Sequence, residues 1–199
     1  MTTPSPLFAC LIYACAFTVG GVLMGFEMLG SRFLYPYFGG GIATWAGLIS
    51  TVLYALAIGY FAGGAIVDRR PSAPTIAGAV AAAGLYLLAV PLCVDWAMQA
   101  ILDGFGYGAG AVLLASAALL APPIALLGTL SPAAVRLLVS DTGGAGRAAG
   151  VVYGVSAIGN VGGVLLTSFV LIPSIGSRAI AYGFGATLLA SAALLLCAA

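Results

Sequence analysis

The 199-residue chain contains no histidine and no lysine, and charged residues make up 6% of it. Water-soluble proteins carry roughly a quarter of their residues as charged side chains. Six arginines and five acids therefore cannot cover the outside of a soluble domain. A mean hydropathy of +1.20 points the same way. We expect one transmembrane domain, residues 1–199, with lipid around it and no soluble domain.

The missing side chains also exclude several kinds of site. The largest basic cluster is Arg69-Arg70 and the net charge is +1, so no nucleic-acid partner is expected. Without histidine, and with scattered acids, a zinc or di-iron site has almost no ligands, so neither a metal nor a cofactor is expected. The four cysteines match no metal or redox spacing. An intramembrane enzyme would lack its acid, base and metal candidates, so we expect no enzymatic activity.

Six apolar segments are each close to the roughly 20 residues that a helix needs to cross the hydrocarbon of a bilayer. Charges, prolines or glycine clusters bound them. They predict an all-α integral membrane protein with six transmembrane helices, at 7–29, 45–67, 74–92, 108–130, 148–172 and 179–197.

Two segments depart from simple spans. Pro122 and Pro123 remove backbone donors from the fourth span. This predicts either one long kinked helix or a span followed by a short interfacial helix through 131–139. Residues 94–107 contain two acids and Trp96, an aromatic residue typical of the membrane interface, and are expected to lie along it.

The arginines indicate the orientation, because short cytoplasmic loops hold the excess of positive charge. A cytoplasmic N-terminus puts four arginines inside and two outside, and six spans return the C-terminus to the cytoplasm. The chain ends two residues after Cys197. That end fits a natural terminus, and it equally fits a longer protein whose soluble domain follows. The inside arginines are Arg69, Arg70, Arg136 and Arg147, and the outside ones are Arg32 and Arg178.

Glu27 is the one acid that the sequence places inside a predicted span. A carboxylate there is costly unless it is paired, wetted or protonated, and intramembrane ionisable groups commonly mark transport pathways. Glu27 is therefore a candidate cation or proton site with Arg32, five residues on, as its outer partner. The alternative is a structural ion pair or an acid facing lipid headgroups.

A glycine-rich stretch ends the second predicted span. Gly59 and Gly63 form a small-xxx-small face that lets another helix approach closely. Asp68 and Arg69 follow, and the arrangement resembles the signature loop of the major facilitator transporters. We expect Gly63, Asp68 and Arg69 to form a structural gate element.

The fifth predicted span carries a polar stripe. At about 100° per residue, Tyr153, Ser156, Asn160 and Thr167 fall within roughly 60° of one another. Glycines flank the stripe on both edges, so neighbouring helices are expected to pack on both sides. The stripe either lines a substrate pathway through Tyr153, Ser156 and Asn160 or makes hydrogen bonds between helices.

Three blocks, 27–39, 59–70 and 146–176, together resemble the membrane domain of the bacterial spermidine-synthase-like membrane proteins, often described as fused facilitator/spermidine-synthase proteins. The resemblance implies a six-helix unit of the bacterial inner membrane, similar to half of a major facilitator transporter. Some members are joined to a cytosolic aminopropyltransferase-like domain. Here Gly39-Gly40-Gly41 follows a transmembrane helix rather than a strand, so aminopropyl transfer is not expected.

Two functions are consistent with these features. The leading one is a small transporter-like protein in which two copies form a homodimer around a pathway for a small cationic or polyamine-like solute. Repeat-related halves around a midplane site are a common transporter plan. The other is a non-transporting membrane anchor, or a subunit that docks a cytosolic or membrane enzyme.

Overall fold

The computed structural model describes residues 5–69, 71–139 and 144–197, and these residues are almost entirely helical. Its helices contain six stretches long and apolar enough to cross a membrane within the described chain. The elements are α1 Pro6–Phe38, α2 Ile42–Arg69, α3 Ala73–Phe105, α4 Ala109–Gly128, α5 Leu130–Leu138, α6 Ala145–Leu166, a π-helical turn Thr167–Leu171, α7 Ile172–Ser174 and α8 Ser177–Cys197. Arg70 lies outside the described residues.

The six predicted spans are confirmed as apolar helices, and several are longer than predicted. Helices α1 and α3 each contain 33 residues, about 50 Å at 1.5 Å per residue. Residues 94–105, predicted to lie at the interface, belong to the same helix as the third span, because α3 continues to Phe105. Pro91 lies inside α3 without ending it, and Gly106, with φ 68°, ends it in a conformation that favours glycine.

The fourth predicted span is one 30-residue helical stretch, Ala109–Leu138, that is interrupted at Thr129. Helix α4 runs unbroken through Pro122 and Pro123, and α5 follows it after Thr129. Pro122 has no N–H for the Ala118 carbonyl one turn before it. The Tyr86 hydroxyl of α3 donates a hydrogen bond to that carbonyl. A neighbouring helix therefore supplies the donor that proline removes, as hydrocarbon cannot.

Three helix pairs make the most extensive contacts: α2 with α4, α1 with α6, and α3 with α8. Helices α1 and α4 also touch, and together with α3 and α8 they form a central cluster. Helices α2 and α6 each have one main neighbour and flank this cluster. Helix α6 is the least covered, with Val152 and Gly159 as its buried residues.

Glycine contacts show that the first and last three spans form an internal repeat. A Cβ added at Gly59 would meet the backbone of Ala125 in α4, and one at Gly159 would meet that of Phe17 in α1. Gly159 follows Gly59 by 100 positions in the sequence, and Ala125 follows Phe17 by 108 positions. One turn further on, Gly63 meets Thr129 and Gly163 meets Gly21, with the same two offsets. The α2–α4 contact therefore corresponds to the α6–α1 contact.

The third pair completes the repeat. Gly84 of α3 and Gly185 of α8 face each other. A Cβ added at either glycine would contact the carbonyl oxygen of the other. They are related by an offset of 101 residues, and exchanging the two halves maps this contact onto itself. Because each half has three spans joined by short connections, the two halves cross in opposite directions, as in inverted-topology repeats.

We expect Gly163→Ala to destabilise the protein and Gly162→Ala to leave it intact. A Cβ added at position 163 would lie 2.6 Å from the Gly21 Cα, whereas a Cβ added at position 162 would have nothing within 4 Å. Overpacking of this kind costs about 1–3 kcal/mol, while alanine is favoured over glycine in an open helix position by about 1 kcal/mol. Thermal unfolding in detergent measures both. Equal shifts in the two variants would contradict the proposed helix contact.

Candidate functional site

Glu27 lies in the enclosed part of α1 and is 7% exposed. Gly25, two residues before Glu27 in α1, faces Thr167 and Phe184. Gly30, three residues after Glu27, faces Leu120 of α4. Among the described residues, no hydrogen bond or ion pair involves its carboxylate. Glu27 is therefore an acid held between helices without an observed partner.

Arg32 does not pair with Glu27. Helix α1 is regular through Gly30, so residues five apart point roughly 140° away from each other around the axis. Arg32 is exposed and lines a different space, described next. The ion pair found within the described residues joins Asp95, near the end of α3, to Arg178, at the start of α8.

A cavity of about 310 Å³ lies at the end of α1 where α1 meets the start of α2 and the π-helical turn. We name it the outer cavity, and the one at the opposite end of the molecule the inner cavity, after the orientation that the arginines predict. Arg32 and Tyr35 of α1, Trp45 of α2 and Ser168 of the π-helical turn contribute to its wall. The Ser31 hydroxyl, also in the wall, donates to the Met28 carbonyl at 2.7 Å. The outer cavity thus combines one guanidinium, hydroxyl groups and aromatic rings.

An inner cavity of about 540 Å³ lies at the opposite end of the molecule, between the end of α2, helix α5 and the start of α6. Asp68, Arg136 and Tyr153 line it, which brings together two predicted site residues and one that the sequence analysis used for orientation alone. Gly63 is packed against Thr129. Arg69 is exposed at the end of α2 and is not part of this wall.

The two cavities are related by the internal repeat. Arg32 projects from α1 in the outer cavity and Arg136 from α5 in the inner one, and these helices belong to corresponding spans. Ser168 in the outer cavity stands 100 residues after Asp68 in the inner one, the offset that relates α2 to the fifth span. The acid of the inner cavity is therefore replaced by serine in the outer cavity.

The predicted polar stripe divides between two environments. Ser156 and Asn160 face Gly20 of α1, where an added Cβ would lie 3.0 Å from the Ser156 Oγ and 2.8 Å from the Asn160 Oδ1. Thr167 faces Gly25 in the same way. Tyr153 lies apart from them, at the inner cavity. Most of the stripe therefore sits in the α1–α6 contact, between the levels of the two cavities.

Two of these polar atoms, Asn160 Oδ1 and Thr167 Oγ1, are buried without a hydrogen-bond partner in the described structure. The prediction that helices pack on both edges of the stripe was half right. Gly159 and Gly163 contact α1, whereas the glycines on the other edge face open space. Those open glycines are Gly146, Gly150 and Gly154.

Within the described ranges, no group of three or more histidine, cysteine, aspartate or glutamate side chains is placed to hold a metal ion. Comparison of the chain with protein-family models, with curated proteins and with solved structures found no match.

The structure predicts that Glu27 and Arg32 contribute independently to stability. We expect the effects of Glu27→Gln and Arg32→Gln to add within about 0.5 kcal/mol in the double variant, as for residues that share no contact. Unfolding in detergent of the wild type, both single variants and the double variant measures the coupling. A coupling above about 1 kcal/mol would show that the two side chains interact.

Proposed function

We propose that this protein is a transporter-like membrane unit, similar to one six-helix half of a major facilitator transporter. The observation that carries the proposal is Glu27, a buried carboxylate in the central helix without an observed partner. Keeping an acid at membrane depth costs at least a few kcal/mol, so its retention favours a role in binding. The inverted relation of the two halves also supports a transporter-type architecture.

The solute that we propose is small and cationic, of polyamine type, with Glu27 as the counter-charge or as the site of a coupled proton. Polar groups mark a path from the inner cavity toward the level of Glu27. Tyr153 stands at the cavity, and Ser156 and Asn160 follow along the α1–α6 contact. Arg32 stands at the outer end of this path. The negative charge of Glu27 and the family resemblance support this solute class.

The inner cavity is the proposed gate. Asp68 and Arg136 line it. The close contact of Gly63 with Thr129 couples the end of α2 to the junction between α4 and α5. A movement of α2 would therefore change the inner cavity. Arg69, exposed beside it, would anchor the helix end at the cytoplasmic surface of a bacterial inner membrane, with both termini inside.

A homodimer would complete the wall of the pathway. Helices α2 and α6 flank the side of the molecule on which both cavities lie, and each has one main neighbour. Large apolar side chains remain exposed on both, among them Leu53 and Val161. Two copies meeting through these helices would enclose the cavities between them.

Uptake of labelled spermidine into proteoliposomes, driven by an inside-negative potential or a pH gradient, tests the transport proposal. We expect uptake above that of empty liposomes and a loss of about tenfold or more in Glu27→Gln, since hydrogen bonds to charged groups contribute about 1.5–3 kcal/mol. The matched control is Asp103→Asn, an exposed acid hydrogen-bonded to Gln99, which should transport normally. Absence of uptake by the wild type would refute the proposed solute.

Cross-linking in native membranes tests the dimer. In a variant without the four natural cysteines, Leu53→Cys and Val161→Cys introduce thiols on the exposed faces of α2 and α6. Disulfides between copies need Cα atoms within about 7 Å, so we expect oxidation to yield a covalent dimer. Leu85→Cys on α3, exposed on another face, is the control. Cross-linking at position 85 alone would place the contact between copies elsewhere.

The sparse cover of α6 also favours the second candidate, a membrane anchor or subunit of an envelope enzyme complex. Val152 and Gly159 are the buried residues of this helix, so a different membrane protein could pack against it in place of a second copy. The same cysteine at position 161 distinguishes the two, because a cross-linked product of mass other than twice that of the chain would indicate a different partner.

A further inference from the structure

The outer cavity has a charge pattern that the proposed cationic solute does not explain. Its described wall includes the guanidinium of Arg32 and no carboxylate, because Ser168 occupies the position that corresponds to Asp68 in the inner cavity. A guanidinium presents planar paired donors that suit a carboxylate or phosphate. The outer cavity is therefore suited to an anionic group.

One residue of this wall, Ser168, has a backbone carbonyl that its own helix cannot satisfy. In the π-helical turn, the Ile172 N–H donates to the Thr167 carbonyl, five residues back. In an α-helix the Ile172 N–H would donate to the Ser168 carbonyl. In the π-helical register the donor to the Ser168 carbonyl would be the N–H of residue 173. Residue 173 is proline, which has no N–H. Neither register leaves a donor for the Ser168 carbonyl.

A second carbonyl is freed on the facing helix. Pro36 lies inside α1, so the Arg32 carbonyl, four residues earlier, also lacks its helical donor. Arg32 and Ser168 both line the outer cavity. Unwound or donor-free carbonyls in membrane helices commonly bind cations. Trp45 lines the same wall, and ammonium groups bind to the face of an indole ring.

We propose that the outer cavity binds a small zwitterion, with its carboxylate or phosphate on the Arg32 guanidinium and its ammonium on the freed carbonyls beside Trp45. The volume of about 310 Å³ is at the small end of ligand sites and fits a group of headgroup size. Such a group is available from two sources, the headgroup of an outer-leaflet ethanolamine phospholipid and a free zwitterion such as phosphoethanolamine or an amino acid. This site is separate from Glu27 and does not depend on transport.

Trp45 provides a direct readout. The chain has two tryptophans, and Trp96 lies on α3, away from the outer cavity. In a Trp96→Phe variant held in nanodiscs free of ethanolamine lipid, Trp45 fluorescence is titrated with phosphoethanolamine, glycine, inorganic phosphate and ethanolamine. We expect saturable changes with the zwitterions and at least about tenfold weaker binding of phosphate or ethanolamine alone, since each makes half of the charged contacts.

Arginine variants identify the anion contact. Arg32→Gln should weaken zwitterion binding about tenfold or more, and Arg32→Lys should retain part of it, because the charge remains while the paired donors are lost. The matched control is Arg178→Gln, which removes an arginine of the same membrane side that is engaged by Asp95, and it should bind as the parent does. An unchanged affinity in Arg32→Gln would overturn the proposal.

Pro173→Ala identifies the ammonium contact. The alanine N–H can donate to the Ser168 carbonyl in the π-helical register, so we expect zwitterions to lose their advantage over phosphate while phosphate affinity is kept. Nanodiscs with ethanolamine lipid distinguish the sources. A Trp45 change with the lipid and none with soluble zwitterions assigns the site to a headgroup, and the reverse assigns it to a free solute. If Trp45 fluorescence changes with none of the probes, the site is refuted, and this holds whether or not the protein takes up spermidine.

Discussion

Close approach of helix backbones at glycines is the interaction on which this structure depends. Lipid tails are as apolar as the side chains, so burial of apolar surface provides little drive for membrane helices to associate, and van der Waals packing must do so. Gly59 and Gly63 let α4 approach α2, and Gly159 and Gly163 let α1 approach α6. The cavities lie near the ends of these contacts, the inner one beside Asp68 of α2 and the outer one beside Ser168, which follows α6.

At three prolines inside or beside helices, the residues whose carbonyls are freed have different surroundings. At Pro122, the Tyr86 hydroxyl supplies the missing donor to Ala118, and the consequence is structural. At Pro36 and Pro173, the freed carbonyls belong to Arg32 and Ser168, which line the outer cavity. In hydrocarbon an unsatisfied carbonyl is expensive, so leaving one at a cavity that water or a ligand can reach is the less costly arrangement.

The two halves share their packing residues and differ in their charged ones. The glycine contacts recur at constant offsets, whereas Asp68 corresponds to Ser168, and Glu27 corresponds by the α1–α4 offset to Val135. Packing constrains both halves equally, because each must build the same helix contacts. A binding or gating group is needed at one end or one depth, so it appears once. Function in such a protein is expected to lie in the positions that break the repeat.

Composition and hydropathy alone predicted the six apolar spans and the presence of an acid within one of them, since these follow from transfer free energies summed along the chain. Tertiary structure alone decided what faces what. Glu27 and Arg32 are close together in the sequence, yet the regular helix points them in different directions. Tyr153 and Asn160 belong to one predicted stripe, yet the two side chains have different surroundings. Arg136, used at first for orientation, joins Asp68 in a cavity because distant helices meet there. Helical periodicity gives the direction of a side chain, whereas its neighbours depend on contacts between residues far apart in the chain.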